Sequence, residues 1–361
     1  MADSIGTGSE EASASLEERE EAERQGLVVV KPEPFNAETP TQALALGRTP
    51  TPVFYVRSNH AEPELSPDTH RISVEGAVED AFMLEVAELS QQKRRSLTVT
   101  LECAGNGRTS MAPLPEGEPW GQGALGTAIW TGVPLAEVLS RARLRKEAVE
   151  VLIEGADGKG SKRFARALPL SKALHPDTLL ALEMNGAPLT RAHGAPVRLV
   201  VPGWYGMASV KWVSRIEALT RPFEGYYQRD RYIYDTADGR KPEPVTRMRV
   251  KSLITSPEEG ARLTEGPVVV QGMAWSGERR VVQVEVAVDG GDNWKSATLL
   301  EVPRPSAWVR WAFTWENPKP GRHTLRARAT DEAGETQPES AQWNRLGYGN
   351  NAVQVRVVYV G

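Results

Sequence analysis

The chain has 361 residues, a formal net charge of −4 and 40% apolar residues. This is room for two or three domains and an ordinary composition for a globular protein with a real core. The mildly acidic balance and the lack of any long Lys/Arg run give no footprint for nucleic acid, and no apolar run reaches the length of a membrane span. One cysteine excludes an intramolecular disulfide, an in-chain iron–sulfur cluster and a C-x-x-C-H haem attachment; five scattered histidines make a Cys/His zinc site unexpected.

Residues 1–26 are rich in Glu, Ser and Ala and read as a disordered or loosely helical tail. They show no basic n-region, apolar h-region or twin-arginine start, so no export signal is seen and the expected location is cytoplasmic. Structure is expected from Leu27-Val-Val-Val30, followed by a Pro- and Thr-rich wrapping loop to Pro52. His70 to Gly76 alternates as a strand does. Leu97, Val99, Leu101 and Cys103 share one parity and Thr98, Thr100 and Glu102 the other, which predicts a half-buried strand with Cys103 facing inward. Ala104-Gly-Asn-Gly107 ends that strand in a turn. Leu135, Val138, Leu139 and Ala142, with Pro134 at the first turn, predict a short helix. Further strands are expected at Val149 to Ile153 and Val197 to Val201, and the irregular mixture of signals favours α+β over a regular βαβ repeat.

The character changes at the polar, proline-bearing stretch 238–244. Beyond it strands dominate. Val282, Val284, Val286 and Val288 alternate with polar residues, and Asp289-Gly-Gly-Asp292 predicts a hairpin turn. Trp308 to Trp315, Leu325 to Ala329 and Val353 to Tyr359 also read as strands. Short strands with regular turns over this length predict an immunoglobulin-like sandwich. The expected division is therefore a tail over 1–26, a mixed α/β domain over 27–240 and a β-sandwich over 241–361.

Leu101-Glu-Cys-Ala-Gly-Asn-Gly-Arg108 holds the single cysteine. On the residues alone Cys103 is either a small buried hydrophobe or a lone soft ligand for a metal the chain binds.

The stretch resembles the molybdenum-binding segment of the sulfite oxidase family of molybdopterin-dependent enzymes, which includes sulfite oxidases, sulfite dehydrogenases and plant nitrate reductases. Other segments resemble family motifs in the same order: Phe54-Tyr-Val-Arg-Ser-Asn59, Glu154-Gly-Ala-Asp157, Glu183-Met-Asn-Gly-Ala-Pro-Leu189, His193-Gly-Ala-Pro-Val-Arg-Leu199, Ser209-Val-Lys-Trp212, Tyr227-Gln-Arg-Asp-Arg-Tyr232 and Trp343-Asn344. Several motifs in one order over residues 27–361 are far more specific than any one of them.

The resemblance implies an α+β fold: a mixed α/β sulfite-oxidase-like molybdopterin domain, then an immunoglobulin-like dimerisation domain in a homodimer. It implies molybdenum with molybdopterin as cofactor, and Cys103 as the one protein ligand to the metal. Arg57 and Arg108 would grip an oxyanion with planar guanidinium forks. Tyr232 would donate a hydrogen bond near the metal, and Trp120 would wall the pocket; ordinary core is the alternative for Trp120. Tyr55, Asn59, Asp157, His193, Arg198, Ser209, Val210 and Lys211 would hold the cofactor, the cationic ones meeting its phosphate. Sulfite is the implied substrate. Without a cytochrome b5-like His-Pro-Gly-Gly signature, electrons would pass to oxygen or to a separate acceptor such as a cytochrome. The family pattern Trp-Asn-Leu-Arg-Gly reads here as Trp343-Asn-Arg-Leu-Gly347, which moves Arg345 by one place and, in extended chain, to the opposite face. That departure keeps a nitrate or S-/N-oxide reductase open. A non-catalytic β-sandwich binding protein is the third reading, and it leaves the ordered motifs unexplained.

Overall fold

The computed structural model describes residues 26–235, 242–291 and 293–361. The expected tail, apart from Gly26, most of the expected linker and the last residue of the predicted 289–292 turn lie outside the described residues. Among those described, β-structure dominates, and the α-helices are Thr41–Leu44, Val86–Gln91, Leu135–Ala142 and Leu170–Ala173. The α+β expectation overstated the helical share. Segments between strands meet a helix-stopping residue early: Arg143 is left-handed at φ 54° after Leu135–Ala142, and Pro176 follows closely on Leu170–Ala173. Leu135–Ala142 is itself as expected, with Leu135, Val138, Leu139 and Ala142 all buried. Among the described residues no helix is long and apolar enough to cross a membrane.

Two five-stranded sheets build the first part of the chain. One is antiparallel and centres on Leu125–Pro134, flanked by Arg95–Glu102 and Leu179–Met184. The other is mixed: Val213–Leu219 pairs in parallel with Arg71–Gly76 and antiparallel with Glu150–Gly155. Loops leaving these sheets carry most of the motif residues.

The second part is two sheets around one apolar cluster. Lys251–Ser256, Val268–Trp275, Val309–Trp315 and Thr298–Leu299 form one sheet. Gln354–Val360, Gly321–Asp331 and Val281–Ala287 are the long strands of the other. Ile254, Val270 and Trp311 from the first sheet meet Val284, Leu325, Ala327 and Val358 from the second. One pattern expected from sequence breaks here: Val282 is exposed, because a register irregularity between Val281 and Gln283 turns it outward.

A second difference matters more. Strand Arg95–Glu102 is not buried on one face alone in its last four residues. Thr100 and Glu102 are as buried as Val99 and Leu101. Their face is covered by the second part of the chain: Thr100 N–H donates to Ser306 O at 2.8 Å, and Trp308 N–H donates to Thr100 Oγ1 at 2.8 Å. The strand that ends at the cysteine is thus clamped from both sides.

Candidate functional site

One pocket gathers residues from six separated stretches of chain: 54–59, 101–104, 157–164, 192–198, 206–212 and Tyr232. Its empty space, with the solvent-open part included, is about 670 Å³. Of the residues singled out from sequence, Cys103, Arg57, Tyr232, Tyr55, Asn59, Asp157, His193, Arg198, Ser209 and Lys211 line it. Arg108, Trp120 and Val210 do not.

Cys103 sits where strand Arg95–Glu102 gives way to its turn. Its N–H donates to Ala124 O at 2.8 Å and its carbonyl accepts from Asn106 N–H at 2.9 Å, so the turn is fixed on both sides of the thiol. Burial raises the thiol pKa, while the Arg57 and Arg108 charges pull the other way. Arg57 is forked among neighbours: Nη2 donates to Asn59 Oδ1 at 2.7 Å and Nη1 to Asn36 Oδ1 at 3.1 Å and to Ser58 O. Asn59 Nδ2 in turn donates to the Tyr232 hydroxyl at 3.2 Å. A π-helical turn over Tyr227–Arg231 delivers Tyr232, whose ring stacks on Tyr348 at 5.4 Å between centroids. Arg57, Asn59 and Tyr232 therefore form one polar edge in the pocket that holds the thiol.

The rest of the wall is cationic. Arg198 donates to His193 O and Ser209 O, both at 3.1 Å, with its guanidinium 4.8 Å from the Trp130 ring centre. Lys211 Nζ donates to Ser58 Oγ and Ala192 O, both at 2.8 Å. His193 stands edge-on to Phe54. Burial, with Arg198 and Lys211 adding to it, pushes the imidazole pKa down to about 3. Burial also pulls Lys211 down to about 7, against the opposing pull of Glu62, and Arg198 down to about 10. Burial raises the Asp157 carboxyl and the Tyr55 phenol. Burial disfavours a charge on each of the three nitrogen bases, and an anion placed among them offsets that.

Arg108 does not line the pocket, although its charge reaches Cys103. Its Nε and Nη2 donate to Leu346 O at 3.1 and 2.9 Å and its Nη1 to Glu118 O, which makes the guanidinium a main-chain staple. Trp120 lies in the apolar cluster behind Cys103 with Tyr55 and Trp130. Val210 is fully buried, its carbonyl accepting from Leu199 N–H at 2.7 Å. Arg345 is exposed and pairs with Asp235 at 2.8 Å and Glu116 at 3.0 Å. Phe54, Ser58, Phe164, Ala192, Met207 and Trp212 line the pocket without having been singled out. Phe54, Ser58 and Trp212 fall inside motifs already recognised, whereas Phe164 carries no signal of its own.

The first part matches the family described as "Oxidoreductase molybdopterin binding domain" over residues 59–227, and the second "Mo-co oxidoreductase dimerisation domain" over 243–359. The chain is 36% identical to rat mitochondrial sulfite oxidase over 352 residues, covering 90% of this chain and 64% of the rat protein. It is 36% identical to chicken sulfite oxidase, covering 89% and 75%. It belongs to the sulfite oxidase family. Barley nitrate reductase is 35% identical, matched over 40% of its length. Among solved structures, the sulfane dehydrogenase SoxCD of Paracoccus pantotrophus superposes with a TM-score of 0.83 at 31% identity, covering 92% of this chain and 88% of that one. The chain thus spans less than two thirds of the rat protein's length.

As a member of this family the chain carries a molybdopterin-binding domain, and its cofactor is molybdenum with molybdopterin. The pocket suits that group. A cofactor that brings its own sulfur ligands needs few from the chain, and the pocket offers one thiol. Among the described residues no cluster of three or more His, Cys, Asp or Glu side chains could form a protein-only metal cage. The Arg198, Lys211 and His193 wall suits a phosphate-bearing pterin.

Proposed function

We propose that the protein oxidises sulfite to sulfate and passes the electrons to oxygen or to a separate acceptor. The observation that carries this reading is the meeting, in one pocket, of a lone thiol with an arginine–asparagine–tyrosine edge opposite a cationic wall. In this reading Cys103 ligates the metal. Arg57 binds the oxyanion through its planar fork. Asn59 and Tyr232 orient the anion by hydrogen bonds, and their mutual bond fixes both side chains beforehand. His193, Arg198, Ser209, Lys211, Asp157 and Tyr55 hold the pterin and its phosphate. The bound cofactor supplies the two-electron redox chemistry; the chain supplies position, charge and exclusion of water.

A second reading has its own support. Arg345 is spent on Asp235 and Glu116, and Arg108 on main-chain carbonyls. The pocket itself then offers Arg57 as its arginine on the thiol side. A pocket with fewer arginines is less suited to a doubly charged free anion, and this favours nitrate, an S- or N-oxide, or a sulfane sulfur, the last being what the name of the structural neighbour states. The further expectations are a boundary near residue 240, between domains over 27–240 and 241–361, an immunoglobulin-like second domain, and a homodimer formed through it. The two family matches at 59–227 and 243–359 support the boundary, the description of the second as a dimerisation domain supports the homodimer, and two sheets around one apolar cluster support the sandwich.

The test starts with molybdenum per chain, measured by elemental mass spectrometry on protein from a host that makes the cofactor. About one per chain is expected, falling sharply in Cys103→Ser. Turnover with sulfite is then compared with nitrate, S- and N-oxides and a sulfane donor. A loaded enzyme inert to sulfite and active on one of the others replaces the first reading by the second.

A further inference from the structure

The carboxylate beside the thiol is held by the far part of the chain. Glu102 immediately precedes Cys103 and is buried, as are Lys251, Asn106 and Trp275. Glu102 Oε1 accepts from Asn106 Nδ2 at 3.0 Å and from Lys251 Nζ at 3.4 Å, and Oε2 accepts from Trp275 Nε1 at 2.9 Å. Lys251 and Trp275 face each other across the strand pair Lys251–Ser256 and Val268–Trp275 of the second part. On the other side, Asn106 Oδ1 accepts from Ala124 N–H at 3.1 Å, and Asn106 N–H donates to Cys103 O at 2.9 Å. One continuous set of bonds therefore runs from Lys251 and Trp275 through Glu102 and Asn106 to the backbone that aims the thiol.

We propose that Lys251 is a positioning residue for Cys103, acting through Glu102. The proposal rests on the reading of Cys103 as the metal ligand. Lys251 neutralises a carboxylate that otherwise stands buried and uncompensated one residue from a thiolate. Without it, Glu102 turns towards water or draws in a cation, and Asn106 and the turn move with it. The two charges act as a pair: with both removed, the single oxygen of a neutral amide at position 102 can still accept from Asn106 Nδ2, and no charge is left buried without a partner.

Wild type, Lys251→Met, Glu102→Gln and the double variant Glu102→Gln/Lys251→Met are purified with cofactor. Three quantities are read: molybdenum retained through dialysis against a chelator, the visible absorption of the thiolate-ligated metal, and the thermal midpoint. Lys251→Met is expected to lose molybdenum roughly tenfold faster or more and to shift the absorption. The double variant is expected to return both towards wild type. Wild-type retention and absorption in Lys251→Met, with only the thermal midpoint lowered, overturns the proposal by showing a merely structural role. So does a double variant as defective as Lys251→Met. If Lys251→Met does not fold, Lys251→Gln is read by the same criteria. A wild type without molybdenum sinks the ligand assignment itself, and the proposal with it.

Discussion

At the scale of single residues, the pocket holds groups in protonation states they would not keep in water. His193 is the clearest. Its folded-state pKa is about 3, against 6.5 for the free side chain, because it is buried beside Arg198 and Lys211. Between these values the unfolded chain binds a proton that the folded chain refuses. Stability is therefore unaffected by His193 above about pH 6.5 and is lost as pH falls towards 3, in total on the order of 5 kcal/mol. In the cofactor-free chain, His193→Gln should flatten the fall of the denaturation midpoint between pH 7 and pH 4. An unchanged slope would mean that the imidazole is not held neutral. Arg108 teaches a different lesson at this scale. It follows the cysteine motif and has the right chemistry for an oxyanion, yet it bonds Leu346 and Glu118 carbonyls. Residue type announces what a side chain can hold; only its neighbours decide what it does hold.

At the scale of elements, close approaches between strands fix the frame of the pocket. Gly132 sits at a register irregularity where Leu125–Pro134 meets Leu179–Met184. A Cβ there would lie 2.1 Å from Leu180 O, a backbone atom that cannot step aside. Gly132→Ala is expected to lower stability by about 3 kcal/mol in chemical denaturation. Gly186 supplies the contrast. Asn185 at φ 54° and Gly186 at φ 83° form the hairpin turn between Leu179–Met184 and Ala187–Pro188, and nothing lies within 4 Å of a Cβ built on Gly186. Gly186→Asn should cost no more than about 1 kcal/mol. The Asn-Gly pair lies within the Glu183–Leu189 motif, and its turn signal is local. The Gly132 approach has no local signal, since the obstructing carbonyl lies about fifty residues away in the chain.

At the scale of the whole molecule, the two parts share structure. The strand that leads to Cys103 has Thr100 bonded to Ser306 and Trp308, and Glu102 bonded to Lys251 and Trp275. Gly349 N–H donates to Ala104 O at 2.8 Å, and Arg108 reaches Leu346, so the chain's last stretch also closes on the cysteine turn. Such mutual burial couples folding of the two parts. Calorimetry on the intact chain should show one cooperative transition. Two resolved transitions would show that the second part covers the cysteine strand without supporting it.

The sequence by itself determined the family, through motifs whose order carries more information than any one of them. It also determined the helix Leu135–Ala142, because periodicity is a property of a short stretch, and through the family resemblance it pointed to ten of the pocket-lining residues. The tertiary structure decided that Trp120 and Val210 stand behind the pocket, that Arg108 and Arg345 are engaged outside it, and that Phe164 enters it. It also decided that both faces of the cysteine strand are buried over its last four residues. Each of these depends on what covers a residue from far along the chain, and alternation along a strand reports which residues share a face without reporting what packs against it.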